Sequence, residues 1–171
     1  MTKDKIDTAR FRYGVLTLSD KGSRGERQDS SGPALRRILD DEGYRFHCYE
    51  IIPDRVDKIR QVVSDWIDRD LVDLVVTTGG TGVAPSDVTP EAMEGVIEKE
   101  IPGMAEAMRM ESLKKTPHAM LSRAKVGIRG NSLIINLPGS ERGARENLEV
   151  VIPALPHALD KIQGGMSDCG T

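Results

Sequence analysis

The stretch from Leu74 to Glu91 limits more strongly than any other what this chain can fold into. It begins with an apolar, β-branched run typical of a buried strand and continues into the glycine- and threonine-rich segment TTGGTG. It ends in a helix start, with Thr89 as N-cap, Pro90 as the first helical residue and Glu91 in the first turn. A strand, a tight loop and a helix N-terminus in this order predict an anion-binding site, because the backbone N–H groups of such a loop can approach a phosphate.

Two common phosphate-binding motifs do not fit this loop. A P-loop requires Gly-Lys-Ser/Thr, but no lysine occurs between Lys58 and Lys99, and a dinucleotide fingerprint requires a glycine where Pro85 stands. Asp87 lies inside the loop, where its charge would repel a phosphate unless a cation intervened. Asp87 therefore indicates a metal–nucleotide site. The alternative is a tight strand–helix turn in which Asp87 only caps the helix.

The bulk properties of the sequence favour a soluble protein with a single domain. Its 171 residues suit a single domain, 1–171, with flexible tails at 1–9 and 164–171. A net charge of −3 disfavours a broad nucleic-acid-binding surface, and no apolar run approaches the ~20 residues of a membrane span. The polar N-terminus has no signal-peptide core, and Cys48 and Cys169 form no disulfide framework, so a cytoplasmic location is expected. The three histidines lie too far apart to indicate a local metal motif and are expected to be structural or on the surface: His47, His118 and His157.

Strand-like and helix-like segments alternate along the chain. The predicted strands are 11–18, 44–52, 71–78, 126–129 and 133–137, with a short extended piece at 120–123. The predicted helices are 31–43 (capped by Ser30 or Ser31), 56–69, 90–99, 104–113 and 142–162, the last bent by its prolines. This order predicts an α/β fold with a mostly parallel sheet and helices on both faces. The turn Gly130-Asn131 predicts one antiparallel pair, so the sheet is expected to be mixed.

Ligand sites of such sheets lie at the carboxyl ends of the strands. Four segments follow predicted strands and are expected to meet there: Ser19-Asp20, Pro53-Asp54, Thr78 to Asp87, and Pro138-Gly139-Ser140. Three of the four contain an aspartate. In the glycine loop, Gly79, Gly80 and Gly82 would allow close backbone approach, while Thr78 and Thr81 would supply hydroxyl donors.

Several motifs resemble the MogA/MoaB family of molybdenum cofactor biosynthesis proteins, to which the G domain of gephyrin and its plant counterpart also belong. The similar segments run in order from about residue 11 to residue 163: DSSG at 29–32, IPD at 52–54, TTGGTG at 77–82, DVTPEA at 87–92, LSR at 121–123 and LPGS at 137–140. The resemblance implies a three-layer α/β/α sandwich that forms a homotrimer.

The resemblance also implies a function: binding of molybdopterin and its adenylylation by Mg-ATP, with release of pyrophosphate. Asp54 and Asp87 match the family's two mechanistically important aspartates, and we assign both to Mg²⁺. The segments Thr78 to Gly82 and Pro138 to Ser140 match its ligand-binding loops. Ser122 and Ser132 match serines near its site, and Asp29, Ser31 and Gly32 match its Asp-x-Ser-Gly element. A molybdenum insertase is the implied partner.

Two points remain open at this stage. The family loop often continues Leu-Pro-Gly-x-Pro, whereas Glu141 follows Ser140 here, so Ser140 has two interpretations: ligand binding or helix N-cap. The second point is activity, because a non-catalytic molybdopterin-binding protein is the alternative to an adenylyltransferase, and a scaffold protein is a third interpretation. The retention of both Asp54 and Asp87 favours the enzyme.

Overall fold

The computed structural model describes residues 6–165, which form a six-stranded sheet flanked by helices. The strands are Arg12–Leu18 (β1), Arg45–Ile52 (β2), Leu74–Thr78 (β3), Lys99–Glu100 (β4), Val126–Arg129 (β5) and Ser132–Leu137 (β6). The helices are Asp20–Ser23 (α1), Ser31–Asp41 (α2), Val56–Asp68 (α3), Thr89–Glu94 (α4), Pro102–Leu113 (α5), Glu141–Val151 (α6) and Leu155–Ile162 (α7). Short 3₁₀ helices cover Thr8–Arg10, Pro117–Leu121 and Ile152–Ala154.

The sheet is mixed and mostly parallel, as predicted. Its strand order is β2-β1-β3-β6-β5-β4, in which the first four strands are mutually parallel and β5 runs antiparallel to both of its neighbours, β6 and β4. The β5–β6 pair is the hairpin predicted from Gly130-Asn131. Because β1, β2, β3 and β6 run in one direction, their carboxyl ends lie along one edge of the sheet.

Successive side chains of the strands point to opposite faces of the sheet, and helices cover both faces. This gives the predicted α/β/α layering. Leu74 and Val76 of β3 belong to one core, with apolar residues of α2, α5, α6 and α7. Val75 belongs to the other core, with apolar residues of α3 and α4. Both faces of β3 are thus covered, which explains why its sequence is a continuous apolar run rather than an alternating pattern.

The helix that follows the glycine loop differs from the prediction. It ends at Glu94 rather than near Lys99, because Gly95 forms its C-cap and Lys99–Glu100 instead pair with β5. Thr89 is not the N-cap, a position that Val88 occupies. The buried Thr89 hydroxyl donates to the carbonyl of Gly79 (2.9 Å) and so ties the helix to the loop.

Other local predictions also needed correction. Neither Ser30 nor Ser31 caps α2 with its side chain, because the Asp29 carboxylate accepts from the first N–H groups of the helix. The predicted extended piece at 120–123 begins inside a 3₁₀ helix, and the predicted helix 142–162 is split by the 3₁₀ turn Ile152–Ala154.

The chain ends lie partly outside the described residues. Thr8, within the predicted N-terminal tail, belongs to a 3₁₀ helix and donates a hydrogen bond to the Glu42 carbonyl (2.9 Å). Residues 1–5 and 166–171, including Cys169, are outside the described range. Within 6–165, no helix combines the length and the apolar character that crossing a membrane requires.

Candidate active site

The segments predicted to converge do meet at the carboxyl ends of β1, β3 and β6. They surround a cavity of about 390 Å³, which we call the first cavity. Its lining includes most of the predicted site residues: Ser19, Asp29, Ser31, Asp54, Thr78, Gly79, Gly80, Asp87, Gly139 and Ser140. Sequence positions as distant as Ser19 and Ser140 share this cavity because parallel strands end at one edge of a sheet.

Asp54 follows β2 and is joined to Asp20 by two reciprocal hydrogen bonds. The Asp20 N–H donates to Asp54 Oδ2 (3.0 Å), and the Asp54 N–H donates to Asp20 Oδ1 (3.1 Å). Burial raises the pKa of Asp54 above its usual range; the hydrogen bond from the Asp20 backbone opposes this rise, and the charges of Asp20 and Asp87 add to it. Asp54 is therefore a half-buried carboxylate in a locally negative field.

Asp87 completes the turn that follows the glycine loop. Its Oδ2 accepts from the Ala84 N–H (2.8 Å), and its own N–H donates to the Ala84 carbonyl (2.8 Å). The charge of Asp87 influences the pKa of Asp54, and both side chains line the first cavity. The structure thus places the two predicted aspartates on the same side of the molecule.

The glycine loop presents backbone N–H groups that other parts of the described chain leave unpaired. Gly79 and Gly80 have φ values of 107° and 63°, in the left-handed region, and a side chain on Gly80 would lie 2.5 Å from Thr89 Oγ1. Within residues 6–165, the N–H groups of Gly80, Thr81 and Gly82 donate no hydrogen bond. Consecutive N–H groups of this kind can bind the oxygens of a phosphate.

A second cavity of about 420 Å³ adjoins the first. Both cavities are lined by Gly80, Asp87, Gly139 and Ser140, so the glycine loop and the start of α6 separate them. The predicted residues Thr81, Gly82, Ser122 and Pro138 line the second cavity. Two ligands held in these cavities would approach each other at Asp87.

Much of the second cavity was not predicted from sequence. Its additional polar residues come from α5, the 3₁₀ helix after it, and α6: Arg109, Ser112, Lys115, Thr116, His118, Glu146 and Asn147. None of these follows a strand, the criterion used to select candidates. One signal in the sequence could have found them. The run from Arg109 to His118 is rich in basic and hydroxyl-bearing side chains, and the polar face of an amphipathic helix does not account for them. His118 is exposed, in line with the prediction that it is structural or on the surface, and it also lines this wall.

Several hydroxyl groups that were predicted to bind a ligand instead make hydrogen bonds within the protein that hold the site together. The Thr78 hydroxyl donates to the Pro138 carbonyl (2.7 Å), and the Ser31 hydroxyl donates to the Gly139 carbonyl (2.9 Å). Ser19 and Ser140 accept from backbone N–H groups and cap α1 and α6, which leaves their hydroxyl protons available for a ligand. Ser140 is therefore an N-cap that also lines both cavities.

Asp29 organises the wall of the first cavity. Its carboxylate accepts from the Thr17 hydroxyl (2.6 Å) and the Tyr49 hydroxyl (2.6 Å), and from the N–H groups of Ser31 (3.0 Å) and Gly32 (3.2 Å). Any side chain on Gly32 would collide with Asp29 and Tyr49. The Asp-Ser-Ser-Gly element thus fixes the start of α2 against β1 and β2.

The prediction that Ser132 lies near the site is wrong. Ser132 begins β6, whereas the site lies beyond Leu137 at the other end of the same strand. Its hydroxyl is buried and donates to the Val72 carbonyl (2.7 Å). Because a strand rises about 3.3 Å per residue, the two ends of β6 are too far apart for Ser132 to contact a ligand at the site.

The donor set suits a magnesium ion bound together with phosphates. Within residues 6–165, no cluster of three or more histidine, cysteine or acidic side chains is arranged to hold a metal by itself. Asp54 and Asp87 supply two carboxylates, and Mg²⁺ is usually bound by one or two carboxylates, waters and substrate phosphates. A divalent cation between them would also offset the repulsion that helps to raise the pKa of Asp54.

Comparisons with known proteins identify the family and the fold of the chain. A family model described as "Probable molybdopterin binding domain" matches residues 14–157. The molybdopterin adenylyltransferase of Helicobacter pylori strain J99 is 49% identical over 157 residues, which cover 90% of this chain and 89% of that protein. The molybdopterin adenylyltransferase of Escherichia coli K12 is 42% identical over 143 residues, 82% of this chain and 73% of that protein. The crystal structure of the molybdopterin biosynthesis enzyme MoaB from Thermus thermophilus is 52% identical, with a TM-score of 0.85 over 90% of this chain and 97% of that one.

Proposed function

This chain belongs to the molybdopterin-binding domain family of molybdenum cofactor biosynthesis, and we propose that it is a molybdopterin adenylyltransferase that uses Mg-ATP. The observation that carries this proposal is the boundary between the two cavities. There the carboxylate of Asp87 and the unpaired N–H groups of the glycine loop lie between two spaces, each of a size suited to a small molecule. A protein that only bound the pterin would not need Asp87 at this boundary together with Asp54 in the wall of the first cavity.

The reaction joins two phosphate-bearing substrates. An oxygen of the terminal phosphate of molybdopterin attacks the α-phosphorus of ATP, a new P–O bond forms, and the bond to the bridging oxygen breaks. Adenylyl-molybdopterin and pyrophosphate are the products, and the electron pair of the broken bond leaves with pyrophosphate. The attacking phosphate is already ionised at neutral pH, so no side chain has to remove a proton.

The contribution of the protein is alignment and charge compensation. The N–H groups of Gly80, Thr81 and Gly82 would bind phosphate oxygens, and the hydroxyl protons of Ser19 and Ser140 would donate to them. Thr78 and Ser31 hold the two loops in register through the carbonyls of Pro138 and Gly139. Mg²⁺, held by Asp54 and Asp87, would neutralise charge on the phosphates and on the departing pyrophosphate.

The assembly and location of the enzyme are further parts of the proposal. We propose a cytoplasmic homotrimer whose product passes to a molybdenum insertase. Support for self-association comes from a group of exposed apolar side chains on α5 and the adjoining 3₁₀ helix: Met110, Leu113, Met120 and Leu121. Sedimentation equilibrium of the purified protein would measure the oligomeric state directly.

The direct test incubates the purified chain with molybdopterin, ATP and Mg²⁺ and measures pyrophosphate and the adenylylated pterin together. Equal amounts of both products are expected, and none should form when Mg²⁺ is chelated. Pyrophosphate without adenylylated pterin would indicate only ATP hydrolysis to AMP. Tight pterin binding without either product would favour the non-catalytic molybdopterin-binding protein.

A further inference from the structure

Arg123 lies behind the glycine loop and contacts it at three backbone carbonyls. Its Nε donates to the Gly82 carbonyl (2.7 Å), and its Nη2 donates to the Asp87 carbonyl (2.7 Å). Its backbone N–H donates to the Thr81 carbonyl (2.8 Å). One residue therefore connects both ends of the turn that carries Asp87.

The guanidinium of Arg123 is also anchored to the helix that follows the loop. Its Nη1 and Nη2 both approach the carboxylate of Glu91, which lies in the first turn of α4. The planar guanidinium thus spans three attachment points: Gly82, Asp87 and Glu91. A lysine ammonium is a point charge and cannot reproduce this fork.

Arg123 is not among the residues that line either cavity within the described part of the chain. Its side chain is engaged with the loop and with Glu91, so we expect its effect on the reaction to pass through the loop. Its charge is paired with Glu91 on the outer side of the loop, where the arginine side chain is 38% exposed. This arrangement separates its role from that of the phosphate-binding groups.

The contacts of Arg123 determine which way the loop peptides face. All peptide bonds of the described chain are trans, so each C=O and the N–H of the following residue point in opposite directions. Because the carbonyls of Thr81 and Gly82 point to Arg123, the N–H groups of Gly82 and Val83 point away from it. The contact at the Thr81 carbonyl thus turns the Gly82 N–H away from Arg123, and Gly82 itself lines the second cavity.

We propose that Arg123 is a positioning residue for phosphoryl-group chemistry, holding the loop so that its N–H groups and Asp87 face the cavities. This inference rests on the proposed adenylyltransferase function. It explains the Leu-Ser-Arg motif, whose arginine received no role from the sequence. Without the Arg123 side chain, the carbonyls of Gly82 and Asp87 lose their donors and the turn from Gly82 to Asp87 can rotate, while the backbone N–H of residue 123 still donates to the Thr81 carbonyl.

The test compares Arg123→Gln and Arg123→Lys with a matched control, Arg129→Gln. Arg129 makes a similar forked ion pair, with Asp68, and also approaches a backbone carbonyl, but it lies at the end of the sheet opposite to the site. We expect Arg123→Gln to lower kcat by about tenfold to a hundredfold, since small displacements of aligned groups have effects of this size. The concentration of Mg²⁺ needed for half-maximal rate should rise, because Asp87 is displaced. Arg123→Lys should lose most of the same activity, and Arg129→Gln should leave both quantities unchanged.

A second variant separates the ion pair from the carbonyl contacts. Glu91→Gln removes the charge partner but leaves the donors to Gly82 and Asp87, so its kcat should stay within about threefold of the wild-type value. A loss as large as that of Arg123→Gln would mean that the ion pair, not the carbonyl contacts, holds the loop, and would overturn the proposal.

Hydrogen exchange gives a measurement that does not depend on turnover. In Arg123→Gln, the hydrogen-bonded amides of the loop, Ala84, Asp87 and Thr89, should exchange about tenfold faster, while the rest of the chain matches Arg129→Gln. Faster exchange throughout the protein, or wild-type kcat and Mg²⁺ dependence, would overturn the inference. If the wild-type protein itself makes no adenylylated pterin, the proposed function fails, and the exchange comparison still decides whether Arg123 holds the loop.

Discussion

Substitution of Asp87 by asparagine is the sharpest probe of the assignment of the two aspartates. The structure shows Asp87 Oδ2 accepting from the Ala84 N–H at 2.8 Å, and an asparagine side-chain oxygen can accept the same hydrogen bond. The turn should therefore survive, and the free energy of unfolding should change by no more than about 0.5 kcal/mol. What disappears is one negative charge that faces both cavities.

The kinetic effect of this change should be large. Removing one preorganised electrostatic group from an active site typically lowers kcat by about 10²–10³, or about 3–4 kcal/mol of transition-state stabilisation. Asp54 remains as the other carboxylate, so a higher Mg²⁺ concentration should partly restore the rate. Pterin binding without ATP should be nearly unchanged, because no step of that binding requires the metal.

The assay is the release of pyrophosphate and adenylylated pterin across a series of Mg²⁺ concentrations. Asp41→Asn is the matched control, since Asp41 is an exposed aspartate near the end of α2 and lines neither cavity. If Asp87→Asn turns over within about threefold of the wild-type rate at every Mg²⁺ concentration, the reasoning that assigns Asp87 to the metal is refuted.

Three further predictions follow from other parts of the structure. Asp29→Ala should lower the free energy of unfolding, measured by urea titration, by about 2–3 kcal/mol, because it leaves four hydrogen-bond donors unpaired. Tyr49→Phe is its control: it removes one partly exposed donor and should lower the same free energy by no more than about 1 kcal/mol. Leu71→Asn should raise the free energy of unfolding by about 1 kcal/mol, because Leu71 is 62% exposed and has a left-handed φ of 53°, which asparagine adopts more readily than leucine. An unchanged or lower value would show that the conformation of Leu71 carries no strain. Burial raises the pKa of Cys48 to about 12, so peptide mapping should find it alkylated slowly at pH 8.5 and rapidly only after unfolding. Because the pKa of the Cys48 thiol is higher in the folded than in the unfolded protein, the unfolded protein loses this proton at lower pH. The free energy of unfolding should therefore decline as the pH rises from about 8.5 toward 12.

The strands and the glycine loop could be predicted because their signals are local. A β-branched run such as that of β3 and a two-residue turn such as Gly130-Asn131 need no information from distant residues. Once the strands are known to be parallel, their following segments must share one edge, which is why Asp54 and Asp87 were found together. The end of α4 was harder to predict from the sequence, because Lys99–Glu100 pair with β5 although the local sequence has a helical pattern.

Side-chain partners were beyond the reach of local patterns. Ser132 resembled a site serine by motif, but its place at the start of β6 puts it at the wrong end of the strand. The residues of the second cavity come from helices that pack together only in the folded chain. Arg123 was part of a visible motif, yet its contacts join carbonyls 36 to 42 residues away in sequence.

The sequence alone therefore determined the α/β order and the parallel edge, because periodicity and turn chemistry act over a few residues. The resemblance to a known family then singled out Asp54 and Asp87 among the three aspartates along that edge. Only the tertiary structure decided that two cavities meet at Asp87, that Asp54 lies in a negative field, and that an arginine holds the loop from behind. Those features depend on distances between segments far apart in the chain, and packing of both faces of the sheet sets these distances.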